Sequence, residues 1–382
     1  MKHEVSLQQV LDRPDDDELR LVYADALSEQ GDPRGELIAV QCAMANAPTE
    51  ALRVREAELL RAHRDAWFGP VDRFLRRRNP QDGSAYRVRR GFVDHVRARL
   101  SAEPGEVTEL FKLVPALRSL EVNGEGLTAS DSLRRLRRLC VTGIIDALAE
   151  LLSEGYFDQL KALELQCLDG EPGPGLARLK ALTEFRSGWA LRNLSLLPPK
   201  LRVLDAYGDD VLRTQLSAPR KALRELAVRS ATLDAECIDA MIKQAPFVEM
   251  LKIQMSRATV PLLRRLFEAP WPKLKRLNLT GVSLQGNVES LQALRAPKLI
   301  SVELTIAELR DEGARQLLRM PWLLQLQLLS LAANRLTDDG LEPLLEVKHR
   351  LSLLDLKKNR ISNELFTRLQ AAPSFRRTTI LR

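Results

Sequence analysis

Four histidines, at positions 3, 63, 95 and 349, and four cysteines, at 42, 140, 167 and 237, are the side chains of this 382-residue chain best suited to proton transfer, nucleophilic attack or metal binding. Their spacing argues against all three. Such chemistry needs groups in mutual reach, and the chain has no Cys-x-x-Cys pair, no His-Glu-x-x-His, no Gly-x-Ser-x-Gly and no Walker or dinucleotide-type glycine pattern. Asp94 and His95 are adjacent, yet neighbouring strand residues point to opposite faces. Gly170-Glu-Pro-Gly-Pro-Gly175 lacks the Gly-Lys-Ser/Thr that completes a phosphate cradle and reads as a loop. Four scattered cysteines suit small buried residues in a reducing compartment better than a disulfide framework. The expectation is a chain that is not an enzyme, with no catalytic residue, no metal and no cofactor; the alternative is an enzyme whose site forms by convergence of distant residues and is not visible in the sequence.

Arginine offers the next candidate chemistry, bidentate contact with phosphate or carboxylate. The run Arg73-Phe-Leu-Arg-Arg-Arg-Asn79 holds Arg76, Arg77 and Arg78, and Arg87, Arg89 and Arg90 follow. Phe74, Leu75, Tyr86, Val88 and Phe92 are interleaved, however, and Arg87-Val-Arg suits a strand with one wet face. The basic segment 73–90 is therefore expected to be solvated or internally paired, with binding of nucleic acid or another anionic surface as the alternative. A partner is at hand: residues 1–50 carry 4 Lys/Arg against 11 Asp/Glu, and residues 51–100 carry 13 against 6. The whole chain has a formal net charge of +7.

The elements that would position any site come from a repeat. Leu-x-x-Leu-x-Leu, with Val, Ile, Phe or Ala allowed, begins at Leu117, Leu136, Leu160, Leu182, Leu201, Leu223, Val248, Leu274, Leu299, Leu326 and Leu351, eleven units spaced 19 to 27 residues apart. The alternation predicts a short strand, and later leucines such as Leu341, Leu344 and Leu345 predict a helical stripe. Pro115, Pro199, Pro246, Pro272 and Pro297 stand two residues before a unit and stop the preceding helix. In Thr337-Asp-Asp-Gly340, Thr or Asp side chains are placed to cap the next helix. No unit can bury its leucines alone, so the units must stack, with parallel strands inside and helices outside.

This pattern resembles the leucine-rich repeat family, and Leu326–Leu345 and Leu351–Asn359 are most similar to its ribonuclease-inhibitor type. The resemblance implies an α/β solenoid, a curved parallel sheet inside and helices outside, whose concave sheet binds proteins. Asn is absent from most middle units, and Phe185 and Ala206 replace leucines, so irregular geometry is expected there. The residue between the second and third apolar positions points outward in every unit: Glu121, Cys140, Glu164, Arg186, Asp205, Ala227, Lys252, Asn278, Glu303, Ser330 and Asp355. A second outward row includes Tyr207, Arg229 and Gln254. Five acids against two bases in the first row disfavour nucleic acid on this face. A protein or peptide partner is expected there, at Glu121, Glu164, Arg186, Asp205, Tyr207, Arg229, Lys252, Asn278, Glu303 and Asp355.

Residues 1–110 lack the repeat and are expected to form a mainly helical module, leaving 111–382 for the repeats and a C-terminal cap that includes Phe375 and Ile380. Pro14-Asp-Asp-Asp-Glu18 opens a helix whose stripe is Leu19, Val22, Tyr23, Ala26 and Leu27. Gly31 ends it, and Asp32-Pro33 restarts the chain as N-cap and first helical residue toward Leu37, Val40 and Met44. The polar residues Tyr23, Asp25, Asp32, Arg34 and Glu36 at this hairpin are expected to cap, pair or pack. Arg20-Leu-Val-Tyr-Ala-Asp-Ala-Leu-Ser-Glu-Gln-Gly-Asp-Pro-Arg-Gly-Glu-Leu-Ile-Ala-Val-Gln41, with Trp67-Phe-Gly-Pro70 and Arg90-Gly-Phe-Val93, resembles the bacterial repeat-companion domain that precedes leucine-rich repeats in myxobacterial and planctomycete proteins. That resemblance implies a bacterial origin and an architecture, and no activity. No apolar run reaches the roughly 18 residues of a membrane span, and the N-terminus lacks a signal-peptide core, so a cytoplasmic location and no membrane partner are expected.

Overall fold

The computed structural model describes residues 5–78, 85–103, 105–166, 171–189, 191 and 194–382. The chain divides into two compact units, Met1–Lys180 and Ala181–Arg382.

The first unit begins with helices α1 (Leu7–Asp12), α2 (Asp17–Glu29), α3 (Arg34–Asn46) and α4 (Glu50–Arg78). Asp16 starts α2 by accepting a hydrogen bond from the Leu19 amide, and Asp17 and Glu18 favour the positive end of the helix dipole. Gly31 (φ 77°) turns the chain after α2. Gly35 leaves no room for a Cβ against the Ala24 carbonyl, so α2 and α3 approach closely. Their core joins Val10, Ala24, Ile38, Cys42 and Phe92, flanked by Leu19, Tyr23 and Leu27. Val22, expected in the apolar stripe, is instead half exposed, because Arg20 and Ala24 take the buried line of α2. Asp32 lies one residue before the N-cap position, where Pro33 sits, and its carboxylate accepts from the Arg34 amide.

An antiparallel hairpin, β1 (Tyr86–Arg89) and β2 (Phe92–Ala98), follows, and then α5 (Glu106–Leu113). Strands β3 (Ser119–Asn123), β4 (Arg138–Thr142) and β5 (Ala162–Gln166) lie parallel in register, with α6 (Asp146–Ser153) between the last two. β2 pairs in parallel with β3, Val96 opposite Leu120, so the hairpin covers the open edge of the first repeat strand.

The second unit is a parallel sheet in chain order: β6 (Glu184–Ser187), β7 (Val203–Tyr207), β8 (Glu225–Arg229), β9 (Met250–Gln254), β10 (Arg276–Asn278), β11 (Ser301–Glu303), β12 (Leu328–Ser330), β13 (Leu353–Asp355) and β14 (Thr379–Leu381). Its helices are α7 (Asp209–Gln215), α8 (Ala235–Gln244), α9 (Val260–Glu268), α10 (Arg310–Leu317), α11 (Asp338–Leu341) and α12 (Asn363–Ala371). Each strand from β3 to β13 starts two residues after the apolar position that opens a unit in the sequence. The fold is the α/β leucine-rich-repeat solenoid. The one-sided burial of each strand is what alternation dictates: in β7, Leu204 and Ala206 are fully buried while Asp205 and Tyr207 are not.

In the middle units β7, β8 and β9 are five residues long and in register, whereas β10 to β13, where Asn334 and Asn359 occur, have three. One expectation fails: not every unit carries an α-helix. Short 3₁₀ turns follow β3, β5 and β10, and no helix is described between Ser187 and Val203. Spacing is the reason for the shortest units, since 19 residues from Leu117 to Leu136 and from Leu182 to Leu201 leave no room for a strand, two turns and a helix.

Polar backbone buried by these departures finds other partners. In the segment leading to β7, Arg220 (1% exposed) donates to the carbonyls of Leu197 and Pro198, both at 2.8 Å, and to Gln215 O at 2.7 Å and Gln215 Oε1 at 2.9 Å. Gln215 accepts in turn from the Leu197 amide and donates to the Ser195 carbonyl. Toward the C-terminus, Asn334 donates to the carbonyls of Leu304, Leu331 and Ala332 and accepts from the Ala307 and Leu309 amides. Asn359 repeats this with Leu331, Leu356 and Lys357, and Ser256 stands at the equivalent place, donating to the Gln254 carbonyl and accepting from the Ala231 amide. Thr337 does not cap α11 with its hydroxyl. It donates to Asp311 Oδ2 at 2.6 Å, and its amide donates to Asp311 Oδ1, so the side chain ties one repeat to the next. Asp338 accepts from the Ser362 amide in the same way, and the Ser362 hydroxyl, with that amide second, holds its carboxyl below the usual range.

The strand exit is also periodic. Gly143, Gly208, Ser230, Met255, Gly281, Ile306, Ala333 and Lys358 occupy the same place in eight of the units, and all have φ between 48° and 82°. Glycine takes this left-handed turn without steric cost; the others do not.

Candidate functional site

The outward row expected from the sequence forms in-register ladders. In the first unit Glu121, Cys140 and Glu164 stand side by side. In the second, Arg186, Asp205, Ala227, Lys252, Asn278, Glu303, Ser330 and Asp355 do so. Strand spacing sets neighbours about 4.8 Å apart, and the result is a lattice of polar contacts.

Arg229 pairs with Asp205 at 2.9 Å and donates to the Ser187 carbonyl. Lys252 reaches Glu225 at 2.8 Å, and Arg186 lies 3.7 Å from the same Glu225 oxygen. Asn278 donates to Glu303 at 2.9 Å, and Ser330 to Asp355 at 3.3 Å. Arg97 pairs with Glu121, and Gln166 donates to Glu164. Asn278, expected to be exposed, is 8% exposed, and Ala227, Ser330 and Ala332 are buried too, because short side chains sink between longer neighbours. Between Glu121 and Glu164, burial first and then the two carboxylates push the Cys140 thiol up to about 12, which keeps it protonated and unreactive.

Four of the expected residues, Asp205, Lys252, Asn278 and Glu303, line one depression of about 310 Å³ with Met250, Gln254 and Arg276. Tyr207 shares β7 with Asp205, and Arg229 lies on β8 beside it. Asp355 stands farther along the ladder, and Glu121 and Glu164 belong to the first unit. The sequence reading missed a third outward row, which holds Glu184, Glu225, Met250 and Arg276. Counting two residues back from the first row would have found it. It also missed Trp189, which is 46% exposed with its ring centroid 5.9 Å from that of Tyr207. The signal was there, one residue beyond Gly188 of the second row.

The basic segment is largely paired. Arg77 and Arg78 meet Glu109 and Glu106, Arg87 meets Asp94, and Arg90 meets Asp17. Only Asp17 comes from the acidic first fifty residues; the other acids are nearer in space because the hairpin and α5 pack beside α4. Arg73, Arg76 and Arg89 have no carboxylate within 4.0 Å among the described residues. At the helical hairpin, Glu36 pairs with Arg55, and the Arg34 guanidinium lies 5.7 Å from the Trp67 ring centroid.

The candidate chemical groups do not converge. Asp94 accepts from Arg87, while His95 Nδ1 bonds the Ser119 hydroxyl at 2.9 Å. Burial, and next the Arg87 charge, push the His95 pKa down. His63 stacks on Trp67 and His349 on Phe375. No cluster of three or more His, Cys, Asp or Glu fit to hold a metal occurs among the described residues. His3, Asn79, Cys167 and Gly170 lie outside them.

Among solved structures, the chain is similar to one of the yeast Rad7–Elc1 complex (17% identity, 74% of this chain and 73% of that chain covered, TM-score 0.42). It is also similar to an internalin, InlF, of Listeria monocytogenes (15%, 74% and 71%, TM-score 0.35). A third is a leucine-rich-repeat protein of Leptospira interrogans (15%, 75% and 88%, TM-score 0.30). At these identities the likeness concerns the type of fold alone. No family profile matches the chain, and no curated protein matches it.

Proposed function

We propose that this chain is a non-catalytic scaffold that binds a protein or peptide on the exposed face of its repeat strands. The observation that carries this reading is the exposed Trp189 set against Tyr207, beside the Asp205–Arg229 pair and the polar depression next to it. An aromatic anchor bordered by hydrogen-bonding charges is the composition favoured at the centre of protein interfaces. The residues proposed to contact the partner are Arg186, Asp205, Tyr207, Arg229, Lys252, Asn278 and Glu303, with Trp189 added. Asp355, farther along the second unit's row, and Glu121 and Glu164, on the first unit's own row, are proposed as contacts too. A bacterial, cytoplasmic setting, an N-terminal companion-type module ending near residue 110 and a repeat array over 111–382 belong to the same proposal. Among the described residues no helix is long and apolar enough to cross a membrane.

The test is capture from a lysate of the source cells, identification of the captured protein, and titration of the purified pair. Trp189→Ala combined with Tyr207→Ala should weaken the complex by about tenfold or more, the loss expected for a buried aromatic pair. A complex of unchanged affinity in that variant, and in one reversed at Asp205 and Glu303, would remove the strand face from consideration. The rival reading, nucleic-acid binding through segment 73–90, predicts salt-sensitive RNA or DNA binding lost on charge reversal at Arg73 and Arg76.

A further inference from the structure

A second concavity, in the first unit and away from the strand face, has a different electrostatic character. It encloses about 250 Å³, and eight of its fifteen lining residues are Arg or Lys against two acids, Asp15 and Asp94. Its floor is the row of residues that precede β3, β4 and β5, namely Arg118, Arg137 and Lys161. Their backbones are joined in succession, the Arg137 amide to the Arg118 carbonyl and the Lys161 amide to the Arg137 carbonyl, each at 2.8 Å. Strand spacing therefore spreads three cationic residues over about 10 Å.

Four of the eight basic residues lack an acidic partner among the described residues. Arg20, Arg89, Arg118 and Arg137 have no carboxylate within 4.0 Å among the described residues. Arg20 is 6% exposed, donates only to the carbonyls of Pro14 and Arg90, and leaves its Nε–H without a partner. Arg118 likewise donates only to carbonyls, those of Leu11 and Leu117. Burial, then the charges of Arg137, Arg135 and Arg20, push the Arg118 pKa down, so these cations repel one another. The corresponding strand starts of the second unit provide the contrast. There a concavity of about 440 Å³ sets Arg202, Arg224, Lys275 and Arg276 against Glu184, Glu225 and Glu249, and Lys275 pairs with Glu249 at 2.7 Å. The second-unit concavity is thus lined by bases and acids together, the first-unit one by eight basic residues against two acids.

We propose that the first-unit groove binds a compact ligand carrying two or more phosphate groups. The phosphates would lie along Arg89, Arg118 and Arg137, where guanidinium forks match their oxygens. The volume suits a small ligand, and Leu11, Pro14 and Phe92 offer an apolar wall for an organic body. The chemistry is shared by inorganic polyphosphate and by nucleotide-like organic diphosphates, and the experiment separates them.

Calorimetric titration of the full chain at moderate salt, with sodium triphosphate, pyrophosphate, ADP and a single-stranded RNA 20-mer, tests the assignment. Saturable triphosphate binding is expected, weakened about tenfold or more by Arg137→Glu and by Arg89→Glu, which amounts to about 1.4 kcal/mol per tenfold. Arg73→Glu, on α4 outside the groove, should change it less than twofold. ADP binding tighter than pyrophosphate assigns the apolar wall to an organic ligand, and equal binding assigns the inorganic one. Because Arg89 is exposed, its variant is expected to fold, and in the intact chain triphosphate should raise the melting temperature in step with its affinity. The proposal is overturned by absence of saturable binding at millimolar triphosphate, by binding of the RNA alone, or by an equal loss in Arg73→Glu.

Discussion

Ile306 sits at φ 55° in a turn where Gly143, Gly208 and Gly281 sit in other repeats, and it is half exposed. A β-branched residue in the left-handed region is strained by about 1–2 kcal/mol, whereas glycine adds unfolded-state entropy of about 0.5–1 kcal/mol. Ile306→Gly should therefore stabilise the chain by about 1 kcal/mol, read as a higher urea midpoint at unchanged slope. A lower midpoint would show that the exposed side chain holds the turn by contacts that outweigh the strain. Nothing in the residue type marks this position, since Met, Ser, Ala, Ile and Lys all occur in it. Only its place, one residue beyond the second outward row, makes it legible. Asn278 teaches the converse lesson: its outward direction was readable from alternation, but its burial depended on the lengths of Lys252 and Glu303 on either side.

At the scale of elements, the strands were legible because each one repeats the same apolar spacing, and eleven copies leave little freedom in register. The outer layer was less so. Whether a unit builds an α-helix or a 3₁₀ turn depends in part on how many residues remain after the strand, and the shorter option forces polar backbone into the interior. In a longer unit, which does carry an α-helix, Asn334 serves buried backbone most fully, since it is fully buried and bonds five backbone groups. Asn334→Ala should cost about 4 kcal/mol, because each buried group left unpaired costs about 1–3 kcal/mol. Asn359→Ala, whose site is partly solvated, should cost about half as much in the same urea titration. Equal and small losses in both would mean that water fills the gaps. The absence of Asn from the middle units suggested irregularity, yet there Ser256 and the Arg220–Gln215 pair supply donors of other shapes.

For the whole molecule, the net charge of +7 says less than its placement. Part of it lies in the loop residues just before the strands, where only the register shows Arg118, Arg137 and Lys161 in a row. Two compact units, each with its own core, also bear on unfolding. Trp67 lies in the first unit, and Trp189, Trp271 and Trp322 lie in the second. Tryptophan fluorescence and far-ultraviolet circular dichroism should therefore report different denaturant midpoints, because repeat stacks held by neighbour contacts depart from a single two-state transition. Coincident midpoints would instead require one cooperative unit spanning the chain.

Arg220 carries a further implication, concerning the order of events. A guanidinium cannot shed its water before other acceptors replace it without a penalty of several kcal/mol, and its four acceptors come from Leu197, Pro198 and Gln215. None of these can be satisfied alone while the others are still open. The span from 195 to 220 must then close in one concerted event, like an arch that stands only when its keystone drops in, and a nascent chain can complete that event only after residue 220 has emerged.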